Sequence, residues 1–266
     1  MTGLRTVWTL SAHDLRRRWR SLLVWSVILG ALGALYVALY PSMSRLMEEY
    51  MKQAPESMRG FFGDVEGRMS IEQWLGMEFL SLFIPVVLPF MVMMIGARTI
   101  AGSEERKTLD LLLSNPLPRW QVAAGGLLTM AIALAGVLAV TWVLTYIAVP
   151  IAGVGLSPAR LAAALAAIWP LCLVFGVLAL LLSAIVRRSA LAVAIPAFVL
   201  VAMYIVETLA QVTKAMEPAR VVSLFYHLGN PVEGDFPWAA VLAMLAGVFV
   251  LAGAAIAAFS RRDLYT

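Results

Sequence analysis

The stretch LAAALAAIWPLCLVFGVLALLLSAIV (161–186) is followed by Arg187-Arg188 and then by SALAVAIPAFVLVAMYIVETL (189–209). A helix needs roughly 20 apolar residues to cross the hydrocarbon core of a bilayer, and each run meets that length. Neither run alternates between polar and apolar residues, so an outer-membrane barrel is excluded. The pair reads as two spanning helices joined by a tight hairpin, Arg187-Arg188-Ser189, at the membrane edge.

Four further segments qualify by the same rule: about 21–40, 79–99, 121–150 and 238–259. The 121–150 run exceeds the need and is expected to tilt or to project beyond the bilayer. The chain has 266 residues, 62% hydrophobic and 14% charged, with a mean hydropathy of +0.87. A soluble domain carries about 25% charged residues. The polar sequence is therefore too short for a separate soluble enzyme domain. Backbone groups in lipid must bond within their own helix. The expected fold is an all-α integral membrane protein of six transmembrane helices, a single domain over 1–266.

Basic residues favour the cytoplasmic side of a membrane. With the N-terminus inside, the inner segments hold thirteen cations and five acids, an excess of eight positive charges. The outer segments hold seven cations and eleven acids, an excess of four negative charges. Both termini are therefore expected in the cytoplasm.

The first apolar run follows about 20 arginine-bearing residues and ends at Tyr40-Pro41 without a small-x-small cleavage pattern. It is expected to be a retained span rather than a signal peptide. Leu4, Trp8, Ala12, Leu15 and Trp19 share one helical face, so residues 1–20 are expected to form an interfacial helix, with arginines toward anionic lipid. A plain basic leader that sets topology fits the same residues.

In the outer segment 41–78, Met43, Leu46, Met47, Tyr50 and Met51 follow helical spacing. Ser70 and Gln73 then form a capping box that opens a second short helix. These amphipathic pieces suit packing and lid roles, and a methionine stripe also suits a greasy substrate. The outer segment 210–237 contains Val221–Leu228, too short to span, followed by Gly229-Asn230-Pro231. It is expected to be re-entrant or interfacial. Pro85, Pro89, Pro170 and Pro196 stand inside the spans as candidate kink sites.

Ionisable residues within the spans are few: Glu78, Glu207 and Arg98 stand near span ends and are expected to snorkel. A proton- or ion-coupled carrier needs a buried relay, so this class is disfavoured. Trp142, Tyr146, Trp169, Phe175 and Tyr204 are candidates for lining a cargo path, although aromatic packing against lipid accounts for them equally. Cys172 lies in an apolar run and reads as a small buried hydrophobe. His13 and His227 are too far apart in sequence to suggest a metal cluster. No phosphate loop of the form G-x-x-x-x-G-K-[ST], no H-E-x-x-H and no G-x-S-x-G occurs. An enzyme is therefore not expected, and neither a cofactor nor a metal is assigned to the chain.

One polar stretch interrupts the spans: IAGSEERKTLDLLLSNPLPR (100–119). Ser103 suits an N-cap, and Glu104 and Glu105 suit the first turn that follows. Leu109, Leu112 and Leu113 form an apolar stripe, and Asn115-Pro116 with Pro118 ends the helix. Such a helix fits a groove of a soluble partner, and it fits an ordinary interfacial loop as well.

This stretch resembles the signature of ABC-2-type exporter permeases, the membrane subunits of ATP-binding-cassette transporters. The matching residues are Glu104-Glu105, Thr108-Leu109, Leu111-Leu112-Leu113, Pro116 and Arg119. Six spans, the basic leader with Asp14-Leu15, the large first outer loop and the terminal Phe259–Leu264 are similar to the family too. Lys107 stands where members often have Gly, and Gly125-Gly126 where they often have Lys.

The resemblance implies that residues 103–115 are a coupling helix docking on a separate cytoplasmic ATPase. Ser103, Glu104, Glu105, Arg106, Thr108, Leu109, Leu112, Leu113, Pro116 and Arg119 would make that coupling. ATP and magnesium would sit on the ATPase. Further partners implied are a second permease chain, identical or not, and membrane lipids; nucleic acid is not among them. The location would be the plasma or inner membrane of a bacterial or archaeal cell, and the cargo hydrophobic or amphiphilic. The alternative is a membrane channel or scaffold whose inner helix docks a soluble regulator.

Overall fold

The computed structural model describes residues 2–53, 69–105 and 118–261. Among them there are helices and turns and no strand. Six helices are long and apolar enough to cross a membrane. The chain is therefore a multi-pass α-helical membrane protein.

Helix α1 runs from Thr2 to Gln53 without interruption. The expected interfacial leader, first span and first amphipathic outer helix are thus one rod. Its membrane-competent part, Gly3–Leu46, has 44 residues. At 1.5 Å per residue that is about 66 Å, roughly twice the 30 Å hydrocarbon core, so α1 projects well beyond it. Proline normally breaks a helix interior by removing an N–H. Pro41 sits inside α1 all the same.

Helix α2, Ile71–Thr99, begins with the expected capping box. The Gln73 amide donates to Ser70 Oγ at 3.1 Å, and the Ser70 amide donates to Gln73 Oε1 at 3.0 Å. The helix is then wound as a π-helix over Gly76–Val87 and returns to α geometry at Leu88–Thr99. Pro85 and Pro89 each lack a donor, which breaks the ordinary ladder on both sides of this junction. Tyr36 of α1 fastens the π segment. Its ring lies 5.9 Å from Trp74, 5.8 Å from Phe79 and 6.0 Å from Phe83.

The short α3, Ala101–Glu105, follows at once. The remaining elements are α4 (Arg119–Ala152), α5 (Pro158–Ile185), α6 (Ser189–Val212), a 3-10 helix (Lys214–Val222), α7 (Leu224–Leu228) and α8 (Trp238–Arg261). Helix α5 is the central post. It contacts α2, α4, α6 and α8, and carries a long buried series that includes Leu165, Ile168, Leu171, Cys172, Phe175 and Leu180.

The α2–α5 crossing depends on two glycines. A Cβ on Gly96 would collide with the Gly176 carbonyl and lie 3.1 Å from the Leu180 amide nitrogen. A Cβ on Gly176 would collide with the Val92 side chain. Small residues permit this backbone approach, which is the main route to tight helix packing in lipid. Ser183 of α5 also bonds the Gly96 carbonyl, at 3.3 Å.

Contacts at the helix ends define two poles of the bundle. Gly3 lies by Trp120 and Gln121, Arg119 by Phe259 and Ser260, and Glu105 by Ser189. The described starts and ends of the chain, Thr2 and Arg261, therefore lie at one pole. That pole carries Arg5, Arg16, Arg17, Arg18, Arg20, Arg98, Arg119, Arg187, Arg188 and Arg261. The other pole carries Glu48, Glu72, Glu78, Glu207 and Glu233, with Arg160 and Arg220 among them.

Candidate functional site

At the acidic pole a cavity of about 870 Å³ opens between α2, α6, α7 and the 3-10 helix. Ligand pockets are commonly about 300–1,000 Å³. Met77, Leu80 and Pro85 come from the π-wound segment of α2, and Phe225 and Leu228 from α7. These apolar walls alternate with Gln73, Ser81, Thr208, Gln211 and Asn230. The lining suits a ligand with both greasy and polar parts.

Sequence chemistry explains how each wall is placed. The π winding offsets the side chains of Met77, Leu80 and Ser81 from their α-helical positions, and the Ser81 hydroxyl donates to the Gly76 carbonyl. A Cβ on Gly76 would collide with the Asn230 side-chain amide, so glycine lets that amide lie against α2. Gly229 turns the chain after α7 with φ +59°, a left-handed value that costs glycine nothing. The segment expected to be re-entrant or interfacial contains two short helices that border the cavity.

An ion pair closes one side. Arg220 donates to Glu207 through Nη2–Oε1 at 2.6 Å and Nε–Oε2 at 3.3 Å, a two-pronged fit. Gln211 adds a donor at 3.1 Å to Oε1. The guanidinium lies 4.8 Å above the Tyr226 ring. Its pKa is raised further, first by the hydrogen bond to Glu207, and it stays charged throughout. Glu207 is buried at 8% exposure, so it does not snorkel as the sequence suggested. A carboxylate at that depth requires a partner, and Arg220 supplies it from outside the span. Glu78 behaves differently: it is exposed and accepts from the Tyr36 hydroxyl at 2.6 Å. Arg98 is exposed at the basic pole.

Tyr204 is the one expected path residue that lines this cavity, edge-on to Phe225 at 5.6 Å. The others lie elsewhere. Trp142 and Tyr146 stack on each other at 5.9 Å, and the Trp142 indole donates to the Pro158 carbonyl. The Trp169 indole donates to the Ala131 carbonyl at 3.2 Å. Phe175 is 1% exposed in the core.

At the basic pole, the segment between α2 and α4 is clamped at both described flanks. The Glu105 carboxylate accepts from the Ser189 amide at 2.8 Å and from its hydroxyl at 2.6 Å. It thereby caps the N-terminus of α6, where the first amides lack intrahelical partners and the dipole favours an anion. Arg119 donates to the Phe259 carbonyl at 3.2 Å and lies 5.8 Å over the Phe259 ring. It thereby caps the C-terminus of α8, where a cation is favoured.

Ser103 lies inside α3, and its hydroxyl donates back to the Thr99 carbonyl at 3.1 Å, while the helix it was expected to cap lies outside the described residues. Glu104 also lies in α3. Arg106, Thr108, Leu109, Leu112, Leu113 and Pro116 lie outside the described residues. Sequence reasoning missed both clamps and the Glu207–Arg220 pair. Glu105 and Ser189 are 84 residues apart, and Arg119 and Phe259 are 140 apart. No local pattern joins them.

A family profile described as "ABC-2 family transporter protein" matches residues 8–264. The chain belongs to the ABC-2 transporter family, and it is a membrane-spanning permease component of an ATP-binding-cassette transporter. A search among curated proteins finds no match.

Proposed function

We propose that this chain is the permease subunit of an exporter that moves a hydrophobic or amphiphilic compound outward, driven by ATP hydrolysed on a separate cytoplasmic subunit. The basic pole faces the cytoplasm. Residues 103–115 dock on the ATPase, and a second permease chain completes the complex.

The observation that carries this reading is the double clamp around the docking segment. Glu105 holds the start of α6, and Arg119 holds the end of α8. The far end of α6 supplies Tyr204, Glu207, Thr208 and Gln211 to the cavity. Along α6, Glu207 lies 18 residues beyond Ser189, so the helix carries about 27 Å from clamp to cavity. A pull on the 103–115 segment is delivered to the first turn of α6, and a helix transmits it as a rod. ATP shifts the equilibrium between inward- and outward-open arrangements only by its differential affinity for the two states. The apolar wall suits the greasy part of an amphiphilic cargo, and the amides, hydroxyls and the carboxylates of Glu48 and Glu233 suit its polar part.

The test is co-expression with the cognate ATPase and reconstitution in liposomes. Glu105→Arg reverses the α6 clamp, and Leu112→Asp places a charge on the apolar stripe of the docking segment. Both are expected to insert normally and to lose cargo-stimulated ATP hydrolysis. Full stimulation in both variants overturns the docking role. An ATPase that never co-purifies with the wild-type chain overturns the whole reading.

A further inference from the structure

A second cavity, about 400 Å³, lies at the basic pole between residues 17–25 of α1 and residues 91–98 of α2. Four arginines stand around it: Arg17, Arg18, Arg20 and Arg98. Asp14 pairs with Arg18 at 3.8 Å. Among the described residues, Arg17, Arg20 and Arg98 have no acidic partner. Arg20 lies 5.5 Å from the Trp19 ring.

The cavity is graded in polarity. The two helices run antiparallel here, so Arg17 and Arg18 face the level of Arg98, and Trp25 faces the level of Met91. Below the arginines comes Ser21, and below that Leu22, Trp25, Met91, Met94 and Ile95. Eight residues separate Arg17 from Trp25, about 12 Å of helix rise. The exposed apolar face of α1 continues beside it through Leu23, Val24, Val27 and Ile28.

Guanidinium groups gathered at one cavity, Arg17, Arg20 and Arg98 beside Arg18, repel one another unless an anion joins them. Guanidinium forks match phosphate oxygens in two-pronged fashion. An apolar slot directly beneath a phosphate site matches an acyl chain, which a free phosphate or a soluble acidic peptide does not use. We propose that this cavity binds an anionic glycerophospholipid of the adjacent leaflet. Its phosphate lies among the four arginines, its glycerol level is near Ser21, and one acyl chain runs along Leu22, Trp25 and Met91. The excess of positive charge selects an anionic headgroup over a zwitterionic one. The inference rests on the membrane-spanning fold and stands independently of the export reading.

The test uses the full chain in bilayer discs of phosphatidylcholine doped with phosphatidylglycerol, with bound lipid counted by native mass spectrometry after extraction. Wild type is expected to retain phosphatidylglycerol. Each arginine near a membrane surface contributes about fivefold in affinity, so Arg17→Gln/Arg98→Gln is expected to lower retention roughly twenty-five-fold. Met94→Glu, which places an acid in the slot, is expected to lower it as well. Arg5→Gln/Arg16→Gln removes the same charge from α1 outside the cavity and is expected to retain the lipid.

Thermal melts establish that each variant is folded, and Arg17→Lys/Arg98→Lys is expected to rescue partly by restoring charge. Equal loss in the matched-charge control overturns the proposal in favour of diffuse attraction. Thermal stabilisation by inorganic phosphate equal to that by phosphatidylglycerol reassigns the cavity to a free anion and overturns the lipid. Unchanged retention in the Arg17/Arg98 variant, with loss of ATPase co-purification, overturns it in favour of a protein contact.

Discussion

Replacing Glu105 by Ala should uncap α6, and the size of the effect follows from the geometry. The wild-type carboxylate accepts two bonds from Ser189, at 2.8 and 2.6 Å. Hydrogen bonds to a charged group contribute about 1.5–3 kcal/mol each when shielded. Glu105 is exposed, so solvent and salt reduce that figure sharply. The favourable placement of an anion at a helix N-terminus adds about 0.3–1 kcal/mol. A combined loss of about 1–2 kcal/mol corresponds to a 5- to 30-fold change in the local opening equilibrium.

Hydrogen exchange at the Ser189 amide reads this directly. A first-turn amide has no partner within its own helix, so its protection comes from Glu105. Exchange there should accelerate 5- to 30-fold in Glu105→Ala and by less in Glu105→Gln, which retains an acceptor. Amides in the middle of α6 should not change. An unaltered Ser189 rate in Glu105→Ala would refute the clamp, and the coupling route through α6 would fall with it.

Three further outcomes test other parts of the structure. Gly96→Ala presses a methyl group onto the Gly176 backbone and should cost about 1–3 kcal/mol in a thermal melt, whereas Gly247→Ala, with open space at its Cβ, should be neutral. Glu207→Gln should loosen this border of the cavity, seen as faster exchange over 220–228, and the swap Glu207→Arg/Arg220→Glu should recover part of the protection; no recovery would deny the pair its role. Cys172 is fully buried, so a maleimide should label it only as the protein unfolds, and the labelling curve should coincide with the thermal transition.

Much of the architecture was legible because lipid imposes a coarse rule. A span must be apolar for about 20 residues, and a backbone in lipid must be helical. The six runs, the hairpin at Arg187–Ser189 and the Ser70–Gln73 capping box were readable for that reason. Where the membrane ends, the rule stops. Nothing in the leader and the first span marks α1 as one 52-residue helix, because the polar residues on either side of the apolar run are compatible with helix as well. The π winding of Gly76–Val87 was equally hidden, since Pro85 and Pro89 predict a disturbance and not its form.

The candidate sites show the same division. Individual chemistries were visible in the residues: an acidic start to the 100–119 stretch, a basic N-terminal segment, aromatic residues in the spans. Their partners were not. Glu105 meets Ser189, Arg119 meets Phe259, and Arg98 joins the α1 arginines only because the helices pack in one arrangement. Hydropathy acts on each segment alone, so composition settled the solvent and the helix count, while the family resemblance rested on the residues of the 100–119 motif. Which faces meet is decided by close packing at particular small residues, such as Gly96 against Gly176. That information is carried by pairs distant in the chain, and it becomes readable only when the helices stand side by side.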